Sequence, residues 1–198
     1  MADKPERQLR VMVVDMSAGR AAILEQALRD QGCDVIARLS GNEDLVAQVA
    51  RHSPDVILID MDMPDRDTLE SMRTLTRELP RPIVMFAEHS DSRTIEEAVQ
   101  AGVSAYIVDG LSAQRLKPIM EVAIARFREF QALREELEFT KSKLADRKDV
   151  DRAKGILMRE KSMSEDDAYG ALRRMAMDRN QKIGEVARML IAAADLLR

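Results

Sequence analysis

The chain has 198 residues, 45% apolar and 33% charged, a composition that describes a globular protein with room for one ordinary domain and a smaller second one. The single cysteine, Cys33, has no partner for an internal disulfide, and His52 and His89 lack metal-ligand spacing, which sets aside zinc, haem and iron–sulfur chemistry. The formal net charge of −4 is unevenly placed: residues 147–198 hold 12 Lys and Arg against 9 Asp and Glu, and the preceding stretch holds 19 against 26.

Over the first ~125 residues short apolar runs alternate with helical patterns, the signature of a parallel sheet built from βα units. Strands are expected at 9–15, 35–39, 56–60, 83–86 and 105–108. Between them Ile23, Leu24, Ala27 and Leu28 fall at helical spacing, as do Leu45, Val46 and Val49, then Leu69, Met72 and Leu75, then Ile95, Ala98 and Val99. Gly32, Gly41 and Gly102 stand where helices should stop. The expected class is α/β, a doubly wound five-stranded parallel sheet, in which functional groups gather at the carboxyl ends of the strands.

From about residue 112 the pattern stays helical through roughly 161. Leu116, Ala123, Phe130, Leu137 and Leu144 recur every seven residues, with Ile119 and Leu133 three further on and charged flanks. That spacing predicts a short coiled coil joining two copies, weakened at Arg126, Thr140 and Arg147. One long helix packed on its own domain is the alternative. The tail predicts two more helices. Ser164 caps the first, with Glu165, Asp166 and Asp167 in its first turn, and Asn180 is expected to cap the second. Their apolar faces, with Val150, Ala153, Ile156 and Leu157, can bury one another as a small all-α three-helix domain. Gly155, costly inside a helix, suggests close approach of a neighbouring helix or of RNA. The expected division is 1–125, 126–149 for the coiled-coil linker, and 150–198.

Two strands end in a carboxylate, Asp15 and Asp60. At the tip of a rigid buried strand one carboxylate can accept a phosphoryl group while the other helps hold Mg²⁺; alternatively each merely caps the turn that follows. The stretches VMVVD, DVILIDMDMP, PIVMF and AGVSAYIVDG resemble, in order and spacing, response-regulator receiver domains of flavodoxin-like fold, over about residues 9–128. By that resemblance Asp60 is the phosphoacceptor position, and Asp15 with Asp60 belongs to the metal pocket. Three departures weaken that chemistry. Met16 stands where a second acid is usual, Phe86 and Ala87 where a hydroxyl is usual, and Asp109 where a lysine is usual. Met16 removes a hard oxygen ligand and Asp109 adds negative charge near any phosphate. Mg²⁺ is therefore expected to bind weakly or not at all, no cofactor is required, and Asp62 is a candidate substitute ligand.

The segment from about Val150 to Leu197 resembles the ANTAR domain of transcription antitermination regulators, carried by Ala153-Lys154-Gly155-Ile156-Leu157-Met158, by Ser164 with acids before Ala168-Tyr169, by Leu172-Arg173 and Ala176, and by Lys182 through Val186-Ala187. The whole chain is similar to ANTAR response regulators of the NasT and AmiR type. The resemblance implies binding of hairpins in a leader mRNA, which prevents a terminator from forming. It also implies a ligand-sensing regulatory partner of the NasS or AmiC kind, and a homodimer. Arg152, Lys154, Arg159, Lys161, Arg173, Arg174, Arg179, Lys182 and Arg188 are the candidate RNA-binding residues, because cations meet phosphates and Arg stacks on splayed bases. An ordinary solvated face is the plainer reading of the same charges. A phosphorylation-activated two-component regulator with Asp60 as acceptor, and a DNA-binding helix-turn-helix tail, are the competing readings. The acids at the start of the Ser164 helix disfavour the latter, since a recognition helix presents its first residues to base edges. No apolar run approaches bilayer length and the first ten residues lack the apolar core of a secretory signal, so a cytoplasmic protein with no membrane contact is expected.

Overall fold

The structure, a computed structural model, describes residues 7–61, 64–108 and 113–196. It forms two compact units, Met1–Phe130 and Gln131–Arg198. The first unit runs β1 (Arg10–Asp15), α1 (Ala18–Asp30), β2 (Asp34–Leu39), α2 (Leu45–His52), β3 (Val56–Asp60), α3 (Arg66–Glu78), β4 (Ile83–Ala87), α4 (Ser92–Gln100) and β5 (Ala105–Val108). A 3₁₀ turn at Ala113–Arg115 then leads into α5 (Leu116–Lys161), whose first turns belong to this unit.

All strand pairs are parallel and the order is β2-β1-β3-β4-β5, the flavodoxin-like winding expected from the sequence. Alternate residues of each strand feed opposite faces. Met12, Val14, Ile57, Ile59, Ile83 and Met85 pack with Val49 of α2, with Leu69, Met72 and Leu75 of α3, and with Ala98 of α4. Val11, Val13, Val56, Leu58, Val84 and Phe86 pack with Leu24 and Leu28 of α1 and Leu116, Met120 and Ala123 of α5. Both faces are thus covered, which explains why the strands read as unbroken apolar runs. Of the residues expected on helix faces, Ile23 and Val99 are exposed, because Ala21 and Ala101 complete the buried stripes of α1 and of the α4 end.

Gly32 and Gly102 end α1 and α4 as expected. Each has positive φ, and the amides around it close back onto the last turn: Cys33 N–H donates to Leu28 O and Gly32 N–H to Arg29 O, and Val103 N–H donates to Ala98 O and Gly102 N–H to Val99 O. Gly41 differs. It has positive φ in the connection after β2 and terminates no helix. Asp44, Asp65 and Asp91 cap α2, α3 and α4, accepting from Ala47 N–H, Thr68 N–H and Thr94 N–H. The hydrogen bonds with Thr68 hold the Asp65 carboxyl below its usual range, and those with Thr94 do the same for Asp91.

The second unit contains the remainder of α5, α6 (Glu165–Asp178) and α7 (Ile183–Leu196). Val150, Ala153 and Ile156 of α5, Leu172 and Ala176 of α6, and Val186, Ala187 and Ile191 of α7 form one core. Ser164 caps α6 through its Oγ, which accepts from Asp167 N–H. Asn180 does not cap α7. It has φ +50 and closes α6 instead, with Gln181 N–H donating to Ala176 O and Asn180 N–H to Met177 O. The start of α7 is closed by Glu185, whose carboxylate accepts from Lys182 N–H. Gly155 has open space beside it, so the expected approach of a neighbouring helix is absent within this unit. Close approach occurs at Gly184, where a Cβ would meet the Asp146 side chain.

The seven-residue repeat of α5 divides between two environments. Leu116 and Ala123 are fully buried in the sheet core, whereas Phe130, Leu133, Leu137 and Leu144 are each more than half exposed. The early seam packs on its own domain, and the later seam is exposed among the described residues.

Gly102 combines φ +99 with the Thr76 side chain standing where a Cβ would go, and Thr76 Oγ1 donates to Ala101 O. Gly102→Ala should therefore lower stability by about 1–2 kcal/mol, while Gly19→Ala, inside α1 with open space around it, should be neutral or stabilising by up to about 1 kcal/mol. Urea unfolding followed by circular dichroism measures both; equal midpoints for the two variants would contradict the assignment of strain to Gly102.

Candidate functional site

The sheet brings the two strand-end carboxylates together. Asp15 and Asp60 are register partners on the adjacent strands β1 and β3, and both are buried, with 2% and 7% exposure. β1 and β3 are also where the chain reverses its direction of winding across the sheet, the place where such folds form a crevice. Asp15 Oδ1 accepts from Ser17 N–H at 2.6 Å, so part of this carboxylate stabilises the turn into α1. Its Oδ2 is buried with no hydrogen-bond partner among the described residues.

Asp60 meets a cation that sequence reasoning missed. Arg20, on the first turns of α1, places Nε 3.7 Å from Asp60 Oδ2 and its NH1 3.0 Å from Glu88 Oε1, just after β4. Nothing in the spacing of Arg20 sets it apart in a sequence rich in arginine; only the return of α1 over the strand ends brings it there. Met16, at the position of the usual second acid, is two-thirds exposed, and its side chain lies against Gly41, where an added Cβ would come within 3.3 Å of Met16 Cγ. Phe86 pairs in register with Asp60, but its side chain is buried in the sheet core, and Ala87 is buried beside it. Neither supplies a hydroxyl. Asp62 and Asp109 lie outside the described residues.

Magnesium requires close to six hard oxygens in octahedral array. Asp15 Oδ2, unpartnered, is one feature suited to such an ion. Against it stand the thioether at Met16 and the guanidinium on Asp60. Among the described residues no group of three or more acidic, histidine or cysteine side chains gathers that could hold a metal. The described residues fit a divalent ion poorly.

The nine basic residues of the tail separate into two sets. Arg152 reaches Asp195 at 3.0 Å, Arg159 lies 3.5 Å from Glu160, and Arg188 bridges Asp146 at 2.6 Å and Asp149 at 3.3 Å. Lys154, with a side chain only 16% exposed, contacts Asp151 at 2.9 Å and Glu165 at 2.7 Å. Its hydrogen bonds to Glu165 and then Asp151 push its pKa up. Lys161, Arg173, Arg174, Arg179 and Lys182 are exposed and make no ion pair among the described residues. Arg173 stands between Tyr169 and Met177 at four-residue spacing on α6, and both of these side chains are exposed. Arg179 and Lys182 flank the α6–α7 turn.

Comparison with known proteins agrees with this two-part organisation. The response regulator receiver domain model matches residues 11–121 and the ANTAR domain model matches residues 138–191. The transcriptional regulatory protein PdtaR of Mycobacterium tuberculosis is 32% identical over 182 residues, which covers 92% of this chain and 89% of that protein. The nitrate regulatory protein of Klebsiella oxytoca is 36% identical over 90 residues, 46% of this chain and 23% of that one. Among solved structures, the receiver domain of a modulated diguanylate cyclase from Desulfovibrio desulfuricans G20 superposes with a TM-score of 0.54 at 24% identity, over 62% of this chain and 98% of that domain, a likeness of fold.

Two neighbouring buried carboxylates repel, and one of them carries an unpartnered oxygen. Asp15→Asn keeps the acceptor for Ser17 N–H and removes one charge. It should raise stability by about 1 kcal/mol, read as a shift in the urea midpoint at neutral pH; a clear loss of stability would show that the Asp15 charge is compensated by more than the described groups.

Proposed function

Since this chain belongs to the response regulators that carry an ANTAR output domain, a family of non-catalytic regulators, we propose that it binds hairpins in a leader mRNA and prevents a transcription terminator from forming. The receiver unit then serves as a docking module for a ligand-sensing regulatory partner, not as a phosphorylation switch. The observation that carries the RNA reading is that five of the nine candidate cations, Lys161, Arg173, Arg174, Arg179 and Lys182, are exposed and have no acidic partner among the described residues. Guanidinium and ammonium groups not already neutralised can displace counterions from phosphates. Arg173, beside the exposed ring of Tyr169, adds a surface on which an unstacked loop base can lie. Of the nine candidates, Arg152, Lys154, Arg159 and Arg188 are read as internal ion-pair partners of the helical unit.

Docking of a partner represses only if the partner prefers a form that does not bind RNA. The uncovered seam of α5 supports a second element of the reading, a homodimer through Phe130, Leu133, Leu137 and Leu144. Burial of that stripe against its copy would remove several exposed apolar side chains from water. The protein is read as acting in the cytoplasm; among the described residues no helix is long and apolar enough to cross a membrane.

Gel shifts with a two-hairpin leader RNA and with duplex DNA, at matched salt, test the proposal. The RNA should bind more tightly, and Arg173→Ala with Arg179→Ala and Lys182→Ala together should weaken it by about tenfold or more and reduce the salt slope by about 2–3. Arg152→Ala should leave RNA affinity within about threefold, since its charge is already opposed by Asp195. Duplex binding of equal strength would refute the RNA assignment. Sedimentation equilibrium addresses the dimer: Leu137→Glu should shift the protein to monomer with its circular dichroism retained, and a wild type that sediments as monomer at tens of micromolar would remove this element.

A further inference from the structure

We propose that Arg20 is the resident cation of the acidic pocket, holding beside Asp60 the place that a divalent metal takes in a metal-dependent receiver, with Glu88 holding the guanidinium there. Asp15 and Asp60 sit side by side in register with almost no exposure, a placement of two acidic side chains that favours a cation close by. The Arg20 guanidinium is the cation at hand, 3.7 Å from Asp60 Oδ2 through Nε and 3.0 Å from Glu88 Oε1 through NH1. NH1 donates a hydrogen bond to Glu88, whereas Nε approaches Asp60 as an ion pair without a hydrogen bond, and the group stays charged at every pH a protein meets.

A metal would compete with it directly. Bound to Asp60 at about 2.1 Å, a magnesium ion would lie within roughly 6 Å of the guanidinium, like charge against like charge. Next to Asp15 the position of a usual second acid is held by Met16, whose thioether is a soft ligand and lies against Gly41. Arg20 answers the charge at Asp60 from within the chain, so the receiver unit holds its folded form without regard to divalent ions. This deepens the reading of a receiver not driven by metal-dependent phosphorylation and does not depend on RNA binding.

Thermal unfolding of the full-length protein, in EDTA and in millimolar MgCl₂, provides the test, with Mn²⁺ binding followed by electron paramagnetic resonance. The wild-type midpoint should not move with Mg²⁺. Arg20→Ala should melt several degrees lower in EDTA, regain part of that loss in Mg²⁺, and bind Mn²⁺ at least tenfold more tightly than wild type, with both gains lost in Arg20→Ala/Asp60→Asn. Arg20→Gln repeats these measurements with a bulkier side chain should the alanine variant fail to fold, and Arg20→Lys should stay insensitive to metal. A wild-type midpoint that rises with Mg²⁺ and loses that rise in Asp60→Asn overturns the proposal, as does an Arg20 variant that folds and binds Mn²⁺ no better than wild type. Intact leader-RNA binding beside such a result would leave the antitermination reading standing.

Discussion

The register between β1 and β3 places two carboxylates at the same level on adjacent strands, and most of what the receiver unit can do depends on how that charge is answered. Both faces of the sheet are covered by helices, so the strand ends are the one part of β1 and β3 where polar groups reach the rim. The fold therefore concentrates negative charge on two buried side chains at one rim of the sheet. A phosphoryl group added at such a site brings further negative charge that positive groups nearby must balance. Here Phe86 belongs to the sheet core, Met16 leans on Gly41, and Arg20 stands on Asp60. The architecture of a receiver persists while its described pocket carries a different electrostatic arrangement.

α5 answers a second constraint. A five-stranded doubly wound sheet needs a helix over β1, β3 and β4 on the α1 side, and Leu116, Met120 and Ala123 provide it. A three-helix unit of about 50 residues needs a third apolar face, and Val150, Ala153 and Ile156 provide that. One helix thus contributes to two separate cores, each local to its own segment. The seven-residue repeat runs through the first of these segments and into the stretch between them, which is why periodicity alone reads it as one continuous seam. The side chains at 130, 133, 137 and 144 are those that neither core consumes.

In the helical unit the sign of the charge matters less than its pairing. The segment is only mildly basic, yet its cations fall into paired and unpaired sets because α5, α6 and α7 bring Asp146, Asp149, Asp195 and Glu165 to particular arginines and to Lys154. Gly184 takes part in this: lacking a side chain, it leaves room for the Asp146 carboxylate that binds Arg188. Acidic residues scattered through the tail thereby select which basic residues remain for an outside partner.

The sequence by itself determined the class and winding of the sheet, the positions of its five strands, the carboxylates at two strand tips, the cap at Ser164 and the three apolar faces of the tail. Each is written in local periodicity, or in residue types whose backbone preferences act within one turn. The tertiary structure alone decided the rest. Arg20 and Glu88 are 68 residues apart and meet only because α1 and the end of β4 return to the same rim. Asn180 reads equally as an N-cap or as a left-handed helix end, and the closing hydrogen bonds from residues 180 and 181 settle it. Positive φ at Gly41 belongs to a loop pressed against Met16, a contact between segments that no local pattern encodes. Which lysines and arginines are free is likewise a property of pairs brought together by folding, since most of the deciding distances join residues far apart in the chain.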